Sequence, residues 1–485
     1  MIKEELNKGA QTAQTFTKFY NNEQISTAQR SGLGVSVGSE HVASDGQADD
    51  DALMTNEISN LQHLLQLSLN YCDKYQVELS APKTKLLAFS NNPDDVSYAK
   101  LISPIHIGNT TIPFVDSAEH VGVLRSVSGN LPHIHQRLVK HRKALACILF
   151  TGMSRRHRAS PLASLRAERI FGTPVLFSGL ASLVLSKAEV DIVSSHVKKT
   201  AQNLLKLYQN TPDVFIFMIS GSLPGEATLH LKQLTLFGMI SRLPQNILHR
   251  IAKEKLLTGD SKSWFGQILL LCNRYGLPHP LTLLDNPPKK EHFKSTIKLK
   301  IAEFWQSHYR SRTAELTSLR YFKPQFMSLL HPHPILSTAF HSYDINKMVV
   351  QLRMLSGRYR VGSLLKHFSP SHNGDCELCG QELEDLPHLL LPRCPHLLER
   401  KALLVEYANT VLSSSKVCLS IFTNILDNGD EDERVQLFLD CSAIPCVISA
   451  NQADRTVIPL LFRVTRTWCY SLHRTRLKLL NRWTQ

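Results

Sequence analysis

Residues 34–54, GVSVGSEHVASDGQADDDALM, contain the pattern that decides the predicted fold of the N-terminal part of the chain. Apolar and polar residues alternate in the runs 35–37 and 40–42, and three consecutive carboxylates, Asp49, Asp50 and Asp51, precede the apolar run 52–54. Short alternating runs separated by polar residues are typical of β-strands. The pattern therefore predicts short strands around a tight acidic turn.

The residues that follow predict one helix and several further strands. Apolar residues on one stripe predict a helix that opens at Asn56 and ends near Tyr75. Further strands are expected at 85–89 and 120–124, together with a hairpin over 102–114 that turns at Gly108. After Ser126 the strand signals fade, and amphipathic helices are predicted over 132–207, 227–257, 293–309 and 460–483. A linker at 285–289 and an exposed acidic loop at 428–433 complete an α+β fold with a small mixed part and a long helical part.

The charge distribution predicts a polyanionic partner. The chain of 485 residues has a formal net charge of +14. Residues 121–188 contain eleven Lys or Arg and one acid, and residues 286–366 contain fourteen Lys or Arg and four acids. Such blocks concentrate positive potential, which favours binding of RNA or DNA. An anionic membrane surface or an acidic protein could use the same field.

Targeting and cysteine patterns indicate an intracellular protein, nuclear or cytoplasmic and not secreted. The N-terminus has no apolar signal-peptide core, and the most apolar stretch, 175–185, is shorter than the roughly 20 apolar residues of a membrane span. Most of the ten cysteines are isolated, which does not indicate a disulfide framework.

The acidic turn is a candidate Mg²⁺ site. Three adjacent carboxylates repel one another unless a cation neutralises them, and Mg²⁺ binds to one or two carboxylates while its other positions take water and phosphate oxygens. Asp49 or Asp50 could be such a ligand in two-metal phosphoryl-transfer chemistry. An exposed acidic turn with no ligand is the alternative.

Three motifs resemble a known family. Ala48-Asp49-Asp50 resembles the Ala-Asp-Asp core of the reverse transcriptase palm, Pro82-Lys-Thr-Lys-Leu-Leu-Ala-Phe89 resembles its Lys-Thr-Lys strand, and Glu119-His-Val-Gly-Val-Leu-Arg125 resembles its primer-gripping strand. Their order is similar to that of non-LTR (LINE-like) retrotransposon reverse transcriptases over 32–126, and the run 173–180 also resembles this family.

The resemblance implies a palm and thumb, RNA- and DNA-templated synthesis, and Mg²⁺. Asp49 would be a metal ligand and Asp50 its neighbour, Lys83 or Lys85 would lie near the triphosphate, and Leu124 and Arg125 near the primer. The implied domains are a loose leader (1–30), a partial palm (31–126), a helical thumb and connector (127–345), a zinc-knuckle region (346–400) and a C-terminal helical segment (401–485). The candidate nucleic-acid-binding residues are Lys83, Arg125, Arg142, Lys143, Arg155, Arg156, Arg358 and Arg360, and the candidate catalytic residues are Asp49, Asp50 and Lys85.

The chain also departs from the family pattern. Gln47 stands where the family has an aromatic residue, and no aspartate occurs in residues 1–44 to provide the second metal-bridging carboxylate. Two Mg²⁺ ions and a triphosphate cannot be held by one carboxylate pair. We therefore expect a truncated fragment that binds nucleic acid and is inactive alone. The alternatives are an RNA-directed DNA polymerase completed by another chain and a host-recruited helical interaction protein.

A second motif predicts a zinc site. Cys376, Cys379, His388 and Cys394 have the spacing C-x2-C-x8-H-x5-C, in which two thiolates form a knuckle and two later side chains complete a tetrahedral shell. Four unrelated residues, including a redox pair, are the alternative, and His396 could replace His388. The spacing resembles the CCHC finger found after the thumb of LINE-like elements. All four positions are taken by protein, so we expect structural Zn²⁺. The basic residues around the cluster, expected to bind phosphates, are Arg353, Arg358, Arg360, Lys366 and Arg393.

Four aromatic residues lie among basic residues. Their helical spacing favours a place in the core over stacking on bases: Trp305, Tyr309, Tyr321 and Phe322.

Overall fold

The computed structural model describes residues 22–47, 50–90, 92–102, 104–151, 160–339, 342–368 and 372–481. This part of the chain is mostly helical with a few small antiparallel sheets, so the predicted α+β class is confirmed. Three predicted site residues, Asp49, Arg155 and Arg156, lie outside the described residues.

The chain divides into two compact units. The first unit is formed by the described residues within 1–140, 175–190 and 229–298. The second is formed by those within 141–174, 191–228 and 299–485.

The strands all belong to the first unit and pair as four antiparallel hairpins among the described residues. In chain order they are β1 (Val35–Val37), β2 (Glu40–Val42), β3 (Ser44–Gln47), β4 (Asp50–Leu53), β5 (His106–Ile107), β6 (Thr110–Thr111), β7 (Ser117–His120) and β8 (Val123–Ser126).

The helices of the N-terminal half begin with α1, which covers the described residues 22–30. The others are α2 (Ile58–Tyr75), α3 (Pro93–Ile102), α4 (Leu131–Thr151), α5 (Pro161–Ala167), α6 (Thr173–Leu176), α7 (Lys187–Leu204), α8 (Asp213–Ser220), α9 (Gly225–Ile240), α10 (Ile247–Leu257), α11 (Trp264–Arg274) and α12 (Pro280–Asp285).

The helices of the C-terminal half are α13 (Lys290–Ala314), α14 (Pro334–Ser337), α15 (Ser342–Leu355), α16 (Gly362–Leu365), α17 (Leu386–Leu390), α18 (Leu398–Leu412), α19 (Lys416–Asn428), α20 (Glu431–Asp440), α21 (Pro445–Ala453) and α22 (Val457–Leu479). A π-helical turn at Glu168–Gly172 joins α5 to α6.

A hairpin at the acidic segment is confirmed, but its first strand is β3 and not the run 40–42, Asp50 and Asp51 belong to β4, and residues 48 and 49 of the turn lie outside the described residues. β3 and β4 pair antiparallel from Ser44 opposite Leu53 to Gln47 opposite Asp50. The helix predicted after it is α2, whose Leu64 and Leu65 are buried among apolar residues of the first unit. Burial of this apolar stripe holds the hairpin and the helix together.

Two strand predictions in this unit are wrong. Only Leu86 of the predicted strand 85–89 makes a β-bridge, with Phe114, and the side chain of Phe89 is 65% exposed. Without a partner strand along its length, the segment cannot form a ladder. The predicted single strand 120–124 is divided between β7 and β8, because Val121 and Gly122 have φ angles of 49° and 72° and reverse the chain after His120.

The core of the second unit is built around α22. This helix packs on α15, α18 and α20, and Phe462, Trp468 and Leu472 on its apolar face are buried. A terminal helix was predicted over 460–483, and α22 corresponds to it. The predicted acidic loop 428–433 is partly wrong, because Asp430 accepts a hydrogen bond from the backbone of Glu433 and caps α20, whose first turn carries the acids.

The core placement of the four aromatic residues is confirmed. Trp305, Tyr309, Tyr321 and Phe322 have exposed fractions between 1% and 8%.

Among the described residues, no single helix is long and apolar enough to cross a membrane. The neighbours α8 and α9 meet that requirement only when they are taken together as a bent pair.

Candidate metal centre

Three cysteines and one histidine of the second unit converge on one point. One ligand atom from each of Cys376, Cys379, His388 and Cys394 lies within 4.8 Å of the other three. Bond lengths of about 2.3 Å to sulfur and 2.0 Å to nitrogen put tetrahedral ligands roughly 3.5 Å apart. The 3.5 Å between Sγ of Cys379 and Nε2 of His388 has this value. The predicted group therefore forms a set that could hold a metal ion such as zinc.

The first half of the group is a knuckle made by the backbone. The amide of Cys376 donates to the carbonyl of Glu382 at 2.8 Å, and the amide of Gly380 donates back to the carbonyl of Cys376 at 2.7 Å. Gly374 and Gly380 have φ angles of 95° and 66°, which glycine adopts without strain. These turns bring the two thiols of the Cys-x-x-Cys segment to the same side.

The second half is positioned by a helix cap and by a carboxylate. Asp385 caps the short helix α17 by accepting from the amide of His388 at 2.8 Å. Nδ1 of His388 lies 3.1 Å from Oε2 of Glu382, which leaves Nε2 for the metal. A carboxylate on the far nitrogen fixes the tautomer and the orientation of a metal-binding imidazole.

Three of the four side chains are buried, and Cys379 is half-buried. Cys376, His388 and Cys394 are each no more than 2% exposed. Burial raises the pKa of the Cys376 thiol to about 12 and also raises the pKa of Cys394. Metal binding must therefore displace protons from these thiols, so that the affinity for the metal falls as the pH decreases.

A buried cation lies beside the group. Lys401 is 4% exposed and donates to the carbonyl of Leu391. Burial lowers the pKa of Lys401 to about 8, while Cys394 and Cys376 raise it. Three thiolates with a divalent ion leave one negative charge, so a positive Lys401 would balance the centre.

The metal loop is attached to the terminal helix by a buried ion pair. Glu384 accepts from Nε and Nη2 of Arg476 at 2.6 and 2.7 Å, and from the amide of Gly362 at 2.8 Å. The side chains of Glu384 and Arg476 are 1% and 5% exposed. Trp468 also donates from Nε1 to the carbonyl of Leu390 at 3.2 Å. No local pattern predicts this pair, because its members lie 92 positions apart.

His396 is exposed and is not part of the group, so His388 is the fourth candidate ligand. Of the basic residues predicted to bind phosphates around the cluster, two are already engaged. Arg353 donates to the carbonyl of Lys206 and lies over the ring of Tyr208, and Arg393 pairs with Glu431. Arg358 is half-buried, whereas Arg360 and Lys366 are exposed.

The acidic hairpin brings fewer candidate metal ligands together than the cysteine cluster. Asp50 is exposed at the start of β4, whereas Asp51 is half-buried and its Oδ1 has no hydrogen-bond partner. Burial raises the pKa of the Asp51 carboxyl. Sequence reasoning did not single out Asp51, although the β-strand alternation after Asp50 turns it to the opposite face. Among the residues that the structure describes, only the Cys3His group brings three or more candidate ligands together.

The remaining predicted binding residues lie on the surface. Lys83, Lys85, Arg125, Arg142 and Lys143 are exposed. Nζ of Lys85 donates to the carbonyl of Pro82, within its own turn, at 3.2 Å. All five can reach a ligand in solvent.

No protein-family model matches the chain, and no curated protein matches it by sequence. The resemblance to reverse transcriptases therefore depends on the motifs alone.

Proposed function

We propose that this chain is related to LINE-like reverse transcriptases and binds RNA or DNA. It holds one structural Zn²⁺ ion and does not synthesise DNA by itself. The observation that carries the proposal is the mostly buried Cys3His group in the second unit. The other supports are the basic charge and the order of the palm-like motifs.

The donor set favours Zn²⁺. Thiolates are soft ligands that select Zn²⁺ over Mg²⁺ or Ca²⁺, and a four-coordinate site with only protein ligands has no open position for catalysis. The carboxylate on His388 and the buried loop match a structural role. The ion would stabilise the second unit.

Nucleic-acid binding is supported by the excess of positive over negative side chains. The net charge is +14, and Arg142 and Lys143 are exposed on α4. Arg125 is exposed on β8, and Arg360 is exposed ahead of the metal loop. Cations of this kind attract phosphates and make binding dependent on salt.

Absence of polymerase activity follows from the chemistry of two-metal catalysis. Two Mg²⁺ ions need carboxylates from separate strands, and residues 1–44 of this chain contain no aspartate. Asp50 is exposed at the hairpin and no second group of candidate ligands is found among the described residues. Positioning and charge compensation, the main sources of rate in phosphoryl transfer, would both be missing.

The experiment is a salt titration of binding. Fluorescein-labelled single-stranded RNA, single-stranded DNA and duplex DNA are titrated with the full chain between about 50 and 200 mM salt, the range over which phosphate contacts weaken strongly. We expect binding to at least one of the three with a negative slope of log K against log salt. No binding to any of them at the lowest salt, with zinc-loaded and folded protein, would contradict the proposal.

A further inference from the structure

Three lysines form a row on the first three turns of α13. Lys290, Lys294 and Lys298 are exposed and occur at i, i+4 and i+8, so they follow one another on the same face at steps of about 6 Å. The neighbouring face of the helix, with Phe293 and Ile297, is buried. This burial holds the row in place at the surface of the first unit.

Two more cations lie next to the row: Lys232 on α9 and Arg242, two residues after α9 ends. Gly238 of α9 lies against Phe293, since a Cβ there would be 2.5 Å from the ring. Lys232 is half-buried with Nζ 5.9 Å from the ring centroid of Phe177, and burial together with the nearby Lys294 lowers its pKa. Arg242 donates to the carbonyl of Pro288 just before α13. Two lysines from different helices are thus held close together.

These five cations are grouped on one surface, without acid partners in the described part of the chain. Several other cations of the first unit are paired with acids, as in Arg250 with Glu40 at 2.7 Å, Lys253 with Asp285 at 2.9 Å, Lys255 with Asp260 at 3.2 Å and Lys74 with Glu23 at 2.7 Å. None of the five makes an ion pair with a described residue; Lys83, Lys85 and Arg125 of the same unit make none either, but they do not form a row on one helix face. Like charges held together without counter-charge are unfavourable, so the surface gains most from an anionic partner.

We propose that Lys232, Arg242, Lys290, Lys294 and Lys298, here called the α9–α13 basic face, bind the phosphate backbone of a nucleic acid. The row from Lys290 to Lys298 is about 12 Å long, which fits a chain of phosphates rather than one small anion. Lysine ammonium groups are point charges that contact phosphate oxygens without reading sequence, so binding at this face is independent of base sequence. This inference rests on the proposed function and assigns it a surface that contains none of the residues predicted from the motifs.

The test compares two variants of equal charge. One is Lys290→Gln, Lys294→Gln, Lys298→Gln; the control is Lys74→Gln, Lys253→Gln, Lys255→Gln, whose lysines are paired with acids. Both lose three positive charges. Five of the six side chains are exposed and Lys255 is half-buried, so circular dichroism melts check the fold of both variants. The probes are labelled single-stranded RNA, duplex DNA and vesicles of anionic lipid, titrated at several salt concentrations.

The slope of log K against log salt measures the number of phosphate contacts. In the α13 variant we expect its magnitude to decrease by about 2 on single strands and by roughly 2.7 on duplex DNA, whereas the control keeps the wild-type slope. If the wild type binds and the α13 variant keeps its slope, this inference is wrong while the proposed function stands. An equal loss in both variants assigns the effect to net charge and overturns the inference. If the α13 variant loses binding only to vesicles of anionic lipid, the face belongs to a membrane surface instead. If the wild type binds no nucleic acid, both proposals fail.

Discussion

Replacing Glu384 by glutamine should destabilise the second unit far more than replacing an exposed acid. The variant Glu384→Gln keeps the size of the side chain but leaves the charge of Arg476 buried without its partner. The two side chains are 1% and 5% exposed, and Gly362 also loses its carboxylate acceptor. Breaking a buried, hydrogen-bonded ion pair costs about 3–5 kcal/mol, because the remaining charge is uncompensated.

The control is the exposed pair in the same unit. Asp432→Asn removes the partner of Arg320, where the side chains are 62% and 52% exposed. An exposed pair contributes about 0–1 kcal/mol, because solvent screens the charges. Chemical denaturation of the zinc-loaded chain measures both variants against the wild type. Equal losses for the two would refute the view that Glu384 anchors the metal loop to α22.

A double replacement separates charge from packing. Glu384→Met with Arg476→Met leaves no unpaired charge in the interior, so part of the lost stability should return. A double variant as unstable as Glu384→Gln would show that packing, and not the buried charge, causes the loss.

Three further predictions concern catalysis, pH and helix packing. The purified chain should give no templated primer extension with Mg²⁺ or Mn²⁺, since two-metal chemistry lacks a carboxylate; extension that is lost in Asp49→Ala would contradict this. Burial lowers the pKa of three histidines in the folded chain: His196 to about 4, His230 to about 3 and His473 to about 4. The stability that depends on their neutral form should be fully present above pH 6.5 and fall as the pH decreases toward these values, because the unfolded chain then binds more protons. The loss should be up to about 1.4 kcal/mol per pH unit for each histidine. Denaturation at stepwise lower pH measures this, and a flat profile between pH 6.5 and 4.5 would refute it. Gly238→Ala should cost about 1–3 kcal/mol, because its Cβ would meet Phe293 at 2.5 Å; an unchanged melting curve would show that α9 shifts freely.

Local patterns predicted the hairpin, α2 and the metal cluster. Alternation around Asp50, the apolar stripe of α2 and the Cys-x-x-Cys spacing are all properties of neighbouring residues, which sequence reveals directly. The structure places the four predicted ligands together, as the spacing requires.

Long-range features could not be predicted. A segment becomes a strand only when another segment pairs with it. Residues 85–89 have no such partner beyond the single bridge from Leu86 to Phe114. The pairing of Glu384 with Arg476 joins positions far apart in sequence. The α9–α13 basic face appears only when Lys232 and Lys294 are brought near each other by packing of the two helices.

The most direct test of the account is the metal content of the purified chain after gel filtration. We predict one zinc ion per chain, lost in Cys394→Ser, whose side chain is buried in the cluster, and retained in Cys446→Ser, an exposed cysteine outside it. Wild-type protein without stoichiometric zinc, or equal zinc in both variants, would contradict the account.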